Sequence, residues 1–303
     1  MLARLRLLSQ HFPTLVRTMS TTTFHHPSTH TPIYVPSQLS RDLTQDAILS
    51  FPAFKTWFNT LNHSLSIQEA PTHPFHKNPY ELKSIEVQAA DFFGGGSKLG
   101  FLKLKADVST KEVEKGGSLP RSVFLRGGSA AMLVILQPDD ASNNEEYEEA
   151  YVVLTVQPRV PAGSLEFVEL PAGMLDDSGT FAGGAAKELK EEVGIEVKDD
   201  ELIDLTSLAV SALSETPKEQ LQKALYPSPG GSDEFIPIFL HRRKLRREQL
   251  KEWEGRLTGL RDEGEKITLR LCKLRDLWKV GVRDGKTLAA WGLFEGLRRD
   301  GKI

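Results

Sequence analysis

The second half of the chain is dense in short apolar runs separated by turn residues. Runs at 122–126, 129–138, 151–160 and 164–173 have the length and the bounding glycines and prolines that are typical of strands. In the second run, Met132 to Leu136 are apolar without interruption. Such a run predicts a strand that is buried on both faces of a sheet.

Later segments add further strands and a closing helix. The run 201–210 predicts a strand, and 224–243 predicts a loop rich in proline and glycine that leads into another strand. Over 286–298, large apolar residues recur every three positions, which predicts a helix with a core-facing stripe. The stripe consists of Leu288, Trp291, Phe294 and Leu297. Strands mixed with helices predict an α/β fold.

The first part of the chain has a different pattern. Residues 43–65 predict a helix interrupted near Pro52, and 84–108 predicts two strands around the glycine turn Gly94–Gly96. No Gly-Lys-Ser/Thr sequence follows these glycines, so they are not a phosphate-binding P-loop. We therefore predict a scaffold or dimerisation region at 31–115 and a catalytic domain at 116–303.

Residues 1–30 have the composition of a targeting segment or a disordered tail. Arg4, Arg6 and Arg17 lie among leucines, serine and threonine are frequent, and the first acidic residue is Asp42. An arginine-bearing stretch without acids is typical of a mitochondrial transit peptide. Met19 offers a second start, which would produce a cytosolic form.

Composition excludes several classes of function. The 303 residues are 39% hydrophobic with a net charge of −3, and nothing in this balance indicates a nucleic-acid or membrane partner. The single Cys272 excludes disulfides within the chain and a cysteine-rich zinc site, and we expect it to be a buried apolar residue. Only one of the eight histidines, His241, follows Lys77. Acid–base chemistry in the second half must therefore rely on carboxylates.

One predicted helix carries a cluster of such carboxylates. Glu188, Glu191 and Glu192 are spaced i, i+3 and i+4, which places them on one helical face. Like charges at this spacing repel, and Lys187 and Lys190 offset them only in part. A divalent cation that prefers oxygen ligands, such as Mg²⁺, would relieve the repulsion and leave room for substrate phosphates. A solvated Lys/Glu face is the alternative for this pattern alone.

The surroundings of this helix resemble a known motif. From Gly173, thirteen residues lead to Lys187-Glu188-Leu189-Lys190-Glu191-Glu192-Val193-Gly194-Ile195. This arrangement over 173–195 resembles the Nudix box, in which G, five residues, E and seven residues precede R-E-U-x-E-E-x-G-U, where U is a bulky aliphatic residue. Two positions depart from the pattern. The early glutamate falls on Gly179, near Asp176 and Asp177, and the arginine is Lys187, which lacks arginine's planar fork.

Flanking motifs narrow the resemblance to a subgroup. The sequences VFLRGG, QPRVPAG, ELPAGMLDD, SPGGSDE and GLRDEGEKI are similar to those of ADP-sugar and ADP-ribose pyrophosphatases, most closely the plant ADP-sugar diphosphatase type. The resemblance implies a Nudix-type α/β/α sandwich with a mixed sheet, preceded here by an N-terminal β-rich extension. It also implies a homodimer and dependence on Mg²⁺, with Mn²⁺ as an alternative ion.

The resemblance also implies roles for individual residues. The backbone carbonyl of Ala172, Glu188 and Glu192 would hold the metal ions, and Glu191 would assist them. Glu263 and Glu265 match a loop that carries the candidate general base. A third set of residues would contact the substrate, and within it Arg159 would contact the diphosphate. The set consists of Arg126, Arg159, Gly173, Gly231, Asp233 and Glu234.

The activity expected from these features is hydrolysis of an ADP-sugar to AMP and a sugar 1-phosphate. Bound metal ions would neutralise the diphosphate and activate a water molecule. Two alternatives stay open. The chain could bind a nucleotide sugar without cleaving it, although three retained glutamates are of little use to a pure binder. It could also hydrolyse NADH, FAD or an RNA cap, of which the cap is disfavoured because no solidly basic face is evident.

The loop 261–266 is predicted to supply the general base, a role that the resemblance to the subgroup favours. A solvated acidic turn is the alternative for its local sequence alone. A carboxylate that coordinates Mg²⁺ is a poor proton acceptor, because the cation lowers its pKa. We expect Glu263→Gln or Glu265→Gln to lower turnover by at least about tenfold in assays across pH. If neither substitution does so, the base lies elsewhere, and Asp233 and Glu234 are the next candidates.

The N-terminal segment is predicted to be dispensable for folding and activity. A chain that begins at Met19 should fold and stay active, because the preceding residues contain no strand pattern and no plausible core. Fluorescent fusions should show the full chain in mitochondria and the shortened chain in the cytosol. Identical localisation of the two forms would refute the transit-peptide hypothesis.

Overall fold

The computed structural model describes residues 20–96, 98–111, 117–142, 146–175, 180–213, 218–260 and 266–303. Two β-sheets organise the chain. The first contains β1 (Thr21–His25), β2 (Pro32–Pro36), β3 (Tyr80–Phe93), β4 (Lys98–Thr110) and β5 (Ser122–Leu125), in that spatial order. The pair β2/β3 is parallel and the other pairs are antiparallel.

Two helices, α1 (Gln45–Ser50) and α2 (Pro52–Ser66), accompany this N-terminal sheet. The predicted interruption at Pro52 is confirmed. Phe51 is extended and Pro52 begins the second helix, where its missing N–H costs nothing. Buried residues of both helices, among them Ile48, Phe54 and Phe58, pack with the sheet in one hydrophobic core.

The second sheet forms the centre of the C-terminal part. It runs in the order β10 (Ile203–Asp204), β11 (Ile238–Leu245), β6 (Ser129–Pro138), β7 (Tyr151–Arg159), β13 (Ile267–Lys273) and β12 (Leu257–Thr258). In addition, β8 (Ser164–Glu169) pairs with β7, and β9 (Ala172–Met174) pairs with β6. Strand β6 is parallel to β11 and antiparallel to β7 and β9, so the sheet is mixed.

Helices cover this sheet and connect its strands. They are α3 (Glu146–Glu149), α4 (Phe181–Glu188), α5 (Leu205–Ser211), α6 (Arg247–Lys251), α7 (Leu277–Val280) and α8 (Gly285–Arg299), with a π-helix at Leu189–Val193 directly after α4. Short 3₁₀ turns lie at Ile67–Glu69, Val160–Ala162, Asp199–Glu201 and Leu274–Asp276.

Strand β6 is buried on both faces, as its uninterrupted apolar run predicts. Leu133 and Ile135 face the core that contains Phe294 of α8. Met132 and Val134 face the opposite core, which contains Ala185 of α4. Helices thus lie on both sides of one mixed sheet, and the predicted α/β/α sandwich is confirmed.

The strand predicted at 201–210 is wrong for most of its length. The run forms a strand only at Ile203–Asp204 and then becomes α5, because the Asp204 carboxylate accepts the Ser207 N–H at 2.8 Å and caps a helix.

The core-facing stripe on α8 is confirmed at three of its four positions. Phe294 and Leu297 are buried, and Trp291 packs against the same core. Leu288 is not part of that core, whereas Thr287 and Ala290 are buried, since steps of three residues drift around a helix with 3.6 residues per turn.

The N-terminal sheet extends beyond the region 31–115 on both sides. Strand β1 lies within the segment 1–30, so the tail expected there includes residues that pair with β2. Strand β5 lies within 116–303 but pairs with β4. The chain passes from the first sheet to the second between Leu125 and Ser129.

The expectations for the single cysteine and for membrane-spanning segments can be compared with the structure. Cys272 is buried, and burial raises the pKa of its thiol to about 11, which agrees with an apolar role. Within the described ranges, no helix is long and apolar enough to span a membrane.

Candidate active site

A cleft of about 840 Å³ lies where β7, β8 and β9 meet the first residues of α8. Charged side chains and a glycine loop line it, and they include most of the residues that the sequence singles out. These lining residues are Arg126, Arg159, Glu169, Ala172, Gly173, Glu188, Glu191, Glu192, Glu234 and Lys286.

The loop at Gly173 and the end of α4 touch each other directly. A Cβ atom at position 173 would lie 1.7 Å from Cδ of Glu188 and 2.0 Å from each of its carboxylate oxygens. Only glycine leaves room for this carboxylate at its observed place. The close approach is therefore the physical reason for a glycine here.

The predicted acidic helix changes its winding at the site. Glu188 is the last residue of α4, and Leu189–Val193 form a π-helix that contains Glu191 and Glu192. Gly194, with φ of 78°, ends the helix in the left-handed conformation that glycine tolerates. Single π turns within helices occur frequently at functional sites.

Glu192 is almost fully buried, with 3% of its surface exposed. One carboxylate oxygen accepts the Ala172 N–H at 2.9 Å, and the other accepts the Gln157 side-chain amide at 3.4 Å. A buried charge is tolerated when it is hydrogen-bonded in this way. Glu192 therefore joins the helix to the loop as well as lining the cleft.

The three glutamates do not form a ready-made metal cage. In the described part of the chain, no group of three or more His, Cys, Asp or Glu side chains is arranged to hold a metal ion. The donor set still fits a hard divalent cation. Glu188, Glu191, Glu192 and the Ala172–Gly173 backbone offer only oxygen ligands around one cleft, and Mg²⁺ needs few protein ligands because it keeps several waters.

Cationic side chains line the same cleft. Nε of Arg159 lies 2.6 Å from a carboxylate oxygen of Glu169, and Nζ of Lys286 contacts the other oxygen. Lys286 also lies 3.1 Å from Asp284. Glu169, Asp284 and Lys286 were not among the site residues predicted from the sequence. Only the position of Glu169, directly before the Leu-Pro-Ala-Gly loop, was a usable signal.

A second arginine contributes through the loop 231–234. Nη1 of Arg126 lies 2.7 Å from the Glu234 carboxylate, which also accepts a hydrogen bond from Ser129 at 3.2 Å. Asp233 instead accepts the backbone N–H groups of Arg126 and Gly127. Burial raises the pKa of Asp233, and these hydrogen bonds oppose that shift. Asp233 thus supports the Arg126 backbone.

Not every predicted residue lies at the cleft. Gly231 is exposed, and its carbonyl accepts the Phe124 N–H at 2.8 Å, outside the cleft lining. Glu263 and Glu265 lie outside the described residues, as do Asp176, Asp177 and Gly179.

The chain is similar to a protein family, to a curated protein and to a solved structure. The family model described as NUDIX domain matches residues 129–291. Nudix hydrolase 14, chloroplastic, from Arabidopsis thaliana is 37% identical over 260 residues, which cover 86% of this chain and 74% of that protein. A solved structure described as an ADP compounds hydrolase is 17% identical with a TM-score of 0.45, and the likeness covers 74% of this chain and 97% of that one.

The family match covers more than half of the chain and contains the glycine loop, the acidic helix and the start of α8. The curated relative extends the likeness into the N-terminal sheet. The resemblance seen in the sequence is therefore confirmed, and the chain belongs to the Nudix hydrolase family.

Proposed function

We propose that this protein is a Mg²⁺-dependent pyrophosphatase that hydrolyses ADP-sugars, such as ADP-glucose and ADP-ribose, to AMP and a sugar phosphate. One observation carries the proposal. Three glutamates and the cations Arg159 and Lys286 line the same cleft, which therefore has ligands both for a metal ion and for an anionic diphosphate. The choice of ADP-sugars is supported by the similarity of the flanking motifs to that subgroup.

The acidic side of the cleft would hold the metal. Glu188, Glu191, Glu192 and the Ala172 carbonyl are the proposed ligands of Mg²⁺ or Mn²⁺. A bound cation of this kind neutralises phosphate charge and lowers the pKa of a water ligand. Glu192 also keeps the loop in place through the Ala172 N–H, so that the carbonyl of the same residue has a defined position.

The cationic side would hold the diphosphate. Arg159 is bound to Glu169 through Nε, which leaves its two terminal amino groups for phosphate oxygens. Arg126 also lines the cleft, where it forms an ion pair with Glu234. A carboxylate in the loop 261–266, Glu263 or Glu265, is the proposed acceptor of the proton from the attacking water.

Two further proposals follow from the sequence. The resemblance to the subgroup supports a homodimer, which sedimentation analysis would test. The composition of residues 1–19 supports import into an organelle, and the mitochondrion is the proposed destination. Because the relative named above is called chloroplastic, localisation experiments should include a plastid marker.

Incubation with a panel of nucleotide-linked compounds tests the function. With Mg²⁺, we expect release of AMP from ADP-glucose or ADP-ribose at a higher kcat/KM than from NADH, FAD or capped RNA. Glu188→Gln and Glu192→Gln should each lower turnover by about a hundredfold or more, because each removes a charged metal ligand.

The matched control for these substitutions is Glu196→Gln. Glu196 is exposed, follows the same helix and forms an ion pair with Lys190 outside the cleft. The turnover of the Glu196→Gln variant should equal that of the wild type. Near-normal turnover of the Glu188→Gln and Glu192→Gln variants at saturating Mg²⁺ would refute the metal site. A wild-type protein that cleaves none of the compounds would refute the activity.

Gly173→Ala should abolish most activity while it leaves the fold intact. The new methyl group would displace the Glu188 carboxylate, which is the flexible end of a side chain and can move without disturbing the core. We expect turnover to fall by at least about tenfold and the melting temperature to shift by only a few degrees.

The control is Gly292→Ala on α8, where an added Cβ meets open space. It should keep full activity and gain up to about 1 kcal/mol of stability, because alanine favours helices. A large loss of thermal stability in Gly173→Ala would show that this glycine serves folding rather than the placement of Glu188.

A further inference from the structure

Four charged side chains form a continuous chain along the cationic side of the cleft. They are Arg159 at the end of β7, Glu169 at the end of β8, and Asp284 and Lys286 at the start of α8. Glu169 accepts from Arg159 at 2.6 Å and from Lys286, and Lys286 contacts Asp284 at 3.1 Å. We name this set the brace.

Exposure differs sharply within the brace. The side chains of Glu169, Asp284 and Lys286 are 4%, 8% and 11% exposed, whereas Arg159 is 40% exposed. Three members are thus withdrawn from water, and one reaches the open cleft. Because Glu169 is buried between two cations, its charge is compensated and its position is well defined.

Asp284, at one end of the brace, is held by hydrogen bonds to residues of α8 and to the backbone of Leu170. The Asp284 carboxylate accepts hydrogen bonds from the Leu170 N–H at 3.2 Å and from the Thr287 hydroxyl at 2.6 Å. Its other oxygen accepts the Lys286 N–H at 3.3 Å, which caps α8. Asp284 therefore ties the last helix to the residue that follows Glu169, directly before the glycine loop.

At the other end of the brace, the terminal amino groups of Arg159 are available to bind a ligand. Among the described residues, Arg159 donates to Glu169 through Nε, and its terminal amino groups donate no hydrogen bond to a protein acceptor. Arginine binds phosphate best through a planar pair of N–H groups. A guanidinium that is already oriented also loses less conformational entropy when a ligand binds.

We propose that Glu169 is a positioning residue for Arg159, and that Lys286 holds Glu169 in place. The inference rests on the proposed function, because it assigns Arg159 to the diphosphate of the substrate. The brace contains two positive and two negative charges. Loss of Lys286 would leave a net negative charge beside an anionic substrate, so Lys286 serves the site through charge as well as through geometry.

Steady-state kinetics with the best substrate of the panel test the inference. Glu169→Gln should raise KM by about tenfold, as expected for a lost charge-assisted hydrogen bond, with kcat within about twofold of the wild type. Lys286→Met should act in the same direction, and Lys286→Arg should restore most of the loss. Asp140→Asn, which breaks an exposed pair with Arg247 outside the cleft, is the control and should change neither constant.

A double-mutant cycle separates positioning from a merely structural role. In an Arg159→Met background, Glu169→Gln should raise KM by less than about twofold further, because the group that it positions is gone. If Glu169→Gln raises KM by the same factor in both backgrounds, the brace only supports the fold and the inference is wrong. An unchanged KM in the Glu169→Gln single variant would also overturn it.

Calorimetric binding of ADP makes the inference testable apart from turnover. Glu169→Gln should weaken ADP binding by about tenfold, and this measurement needs no hydrolysis. If the wild type hydrolyses nothing in the panel but binds ADP in a way that depends on Glu169, the proposed function fails and the inference stands. If the wild type hydrolyses its substrate and Glu169→Gln leaves ADP affinity unchanged, the inference fails alone. Absence of ADP binding by the wild type would overturn the inference as well.

Discussion

The contact between the Glu188 carboxylate and the backbone of Gly173 is the constraint on which the site depends. No larger residue fits at position 173 without moving that carboxylate. The buried hydrogen bond from the Ala172 N–H to Glu192 acts one turn further along the same helix. Together these contacts connect the loop to the helix at two places, and catalytic groups require such support from their surroundings.

The sheet makes this precision possible. Strand β9, which carries the loop, pairs with β6, and β6 is buried on both faces. Ala185, Leu189 and Val193 pack the acidic helix against one of these faces. Because densely packed cores resist displacement, this packing holds the helix that carries the glutamates in one place relative to the sheet.

Charge is arranged differently on the two sides of the cleft. On the acidic side, Glu188, Glu191 and Glu192 line the cleft together with the backbone at Ala172 and Gly173. On the other side, Glu169 and Asp284 compensate Arg159 and Lys286, so the brace has no net charge and yet presents an arginine tip to the cleft. This arrangement suits a ligand that consists of an anionic diphosphate and a cation. The cation would lie beside the carboxylates, and the diphosphate would lie beside the arginine.

The amino-acid sequence is sufficient to predict the fold class, the family and the position of the acidic helix, because each of these depends on local spacing. The apolar run of β6 indicates a doubly buried strand, and the residues from Gly173 to Ile195 indicate the family over a short, continuous segment. The helix break at Pro52 and the helix at the end of the chain were predicted for the same reason. Helix capping was not predicted correctly from the sequence: the run that begins at residue 201 was expected to be a strand, but a helix begins after Asp204.

The tertiary structure alone decided which distant residues share the site. Glu169 and Lys286 are 117 positions apart in the sequence, and their contact arises only because α8 begins beside the end of β8. Spacing rules cannot reveal such a pair, since they describe neighbours on one helix or one strand. The roles of Asp233 and Glu234 were separated in the same way. These adjacent acids contact different partners, the Arg126 backbone and the Arg126 side chain, and only the packing of the loop against β5 and the residues that follow it sets that difference.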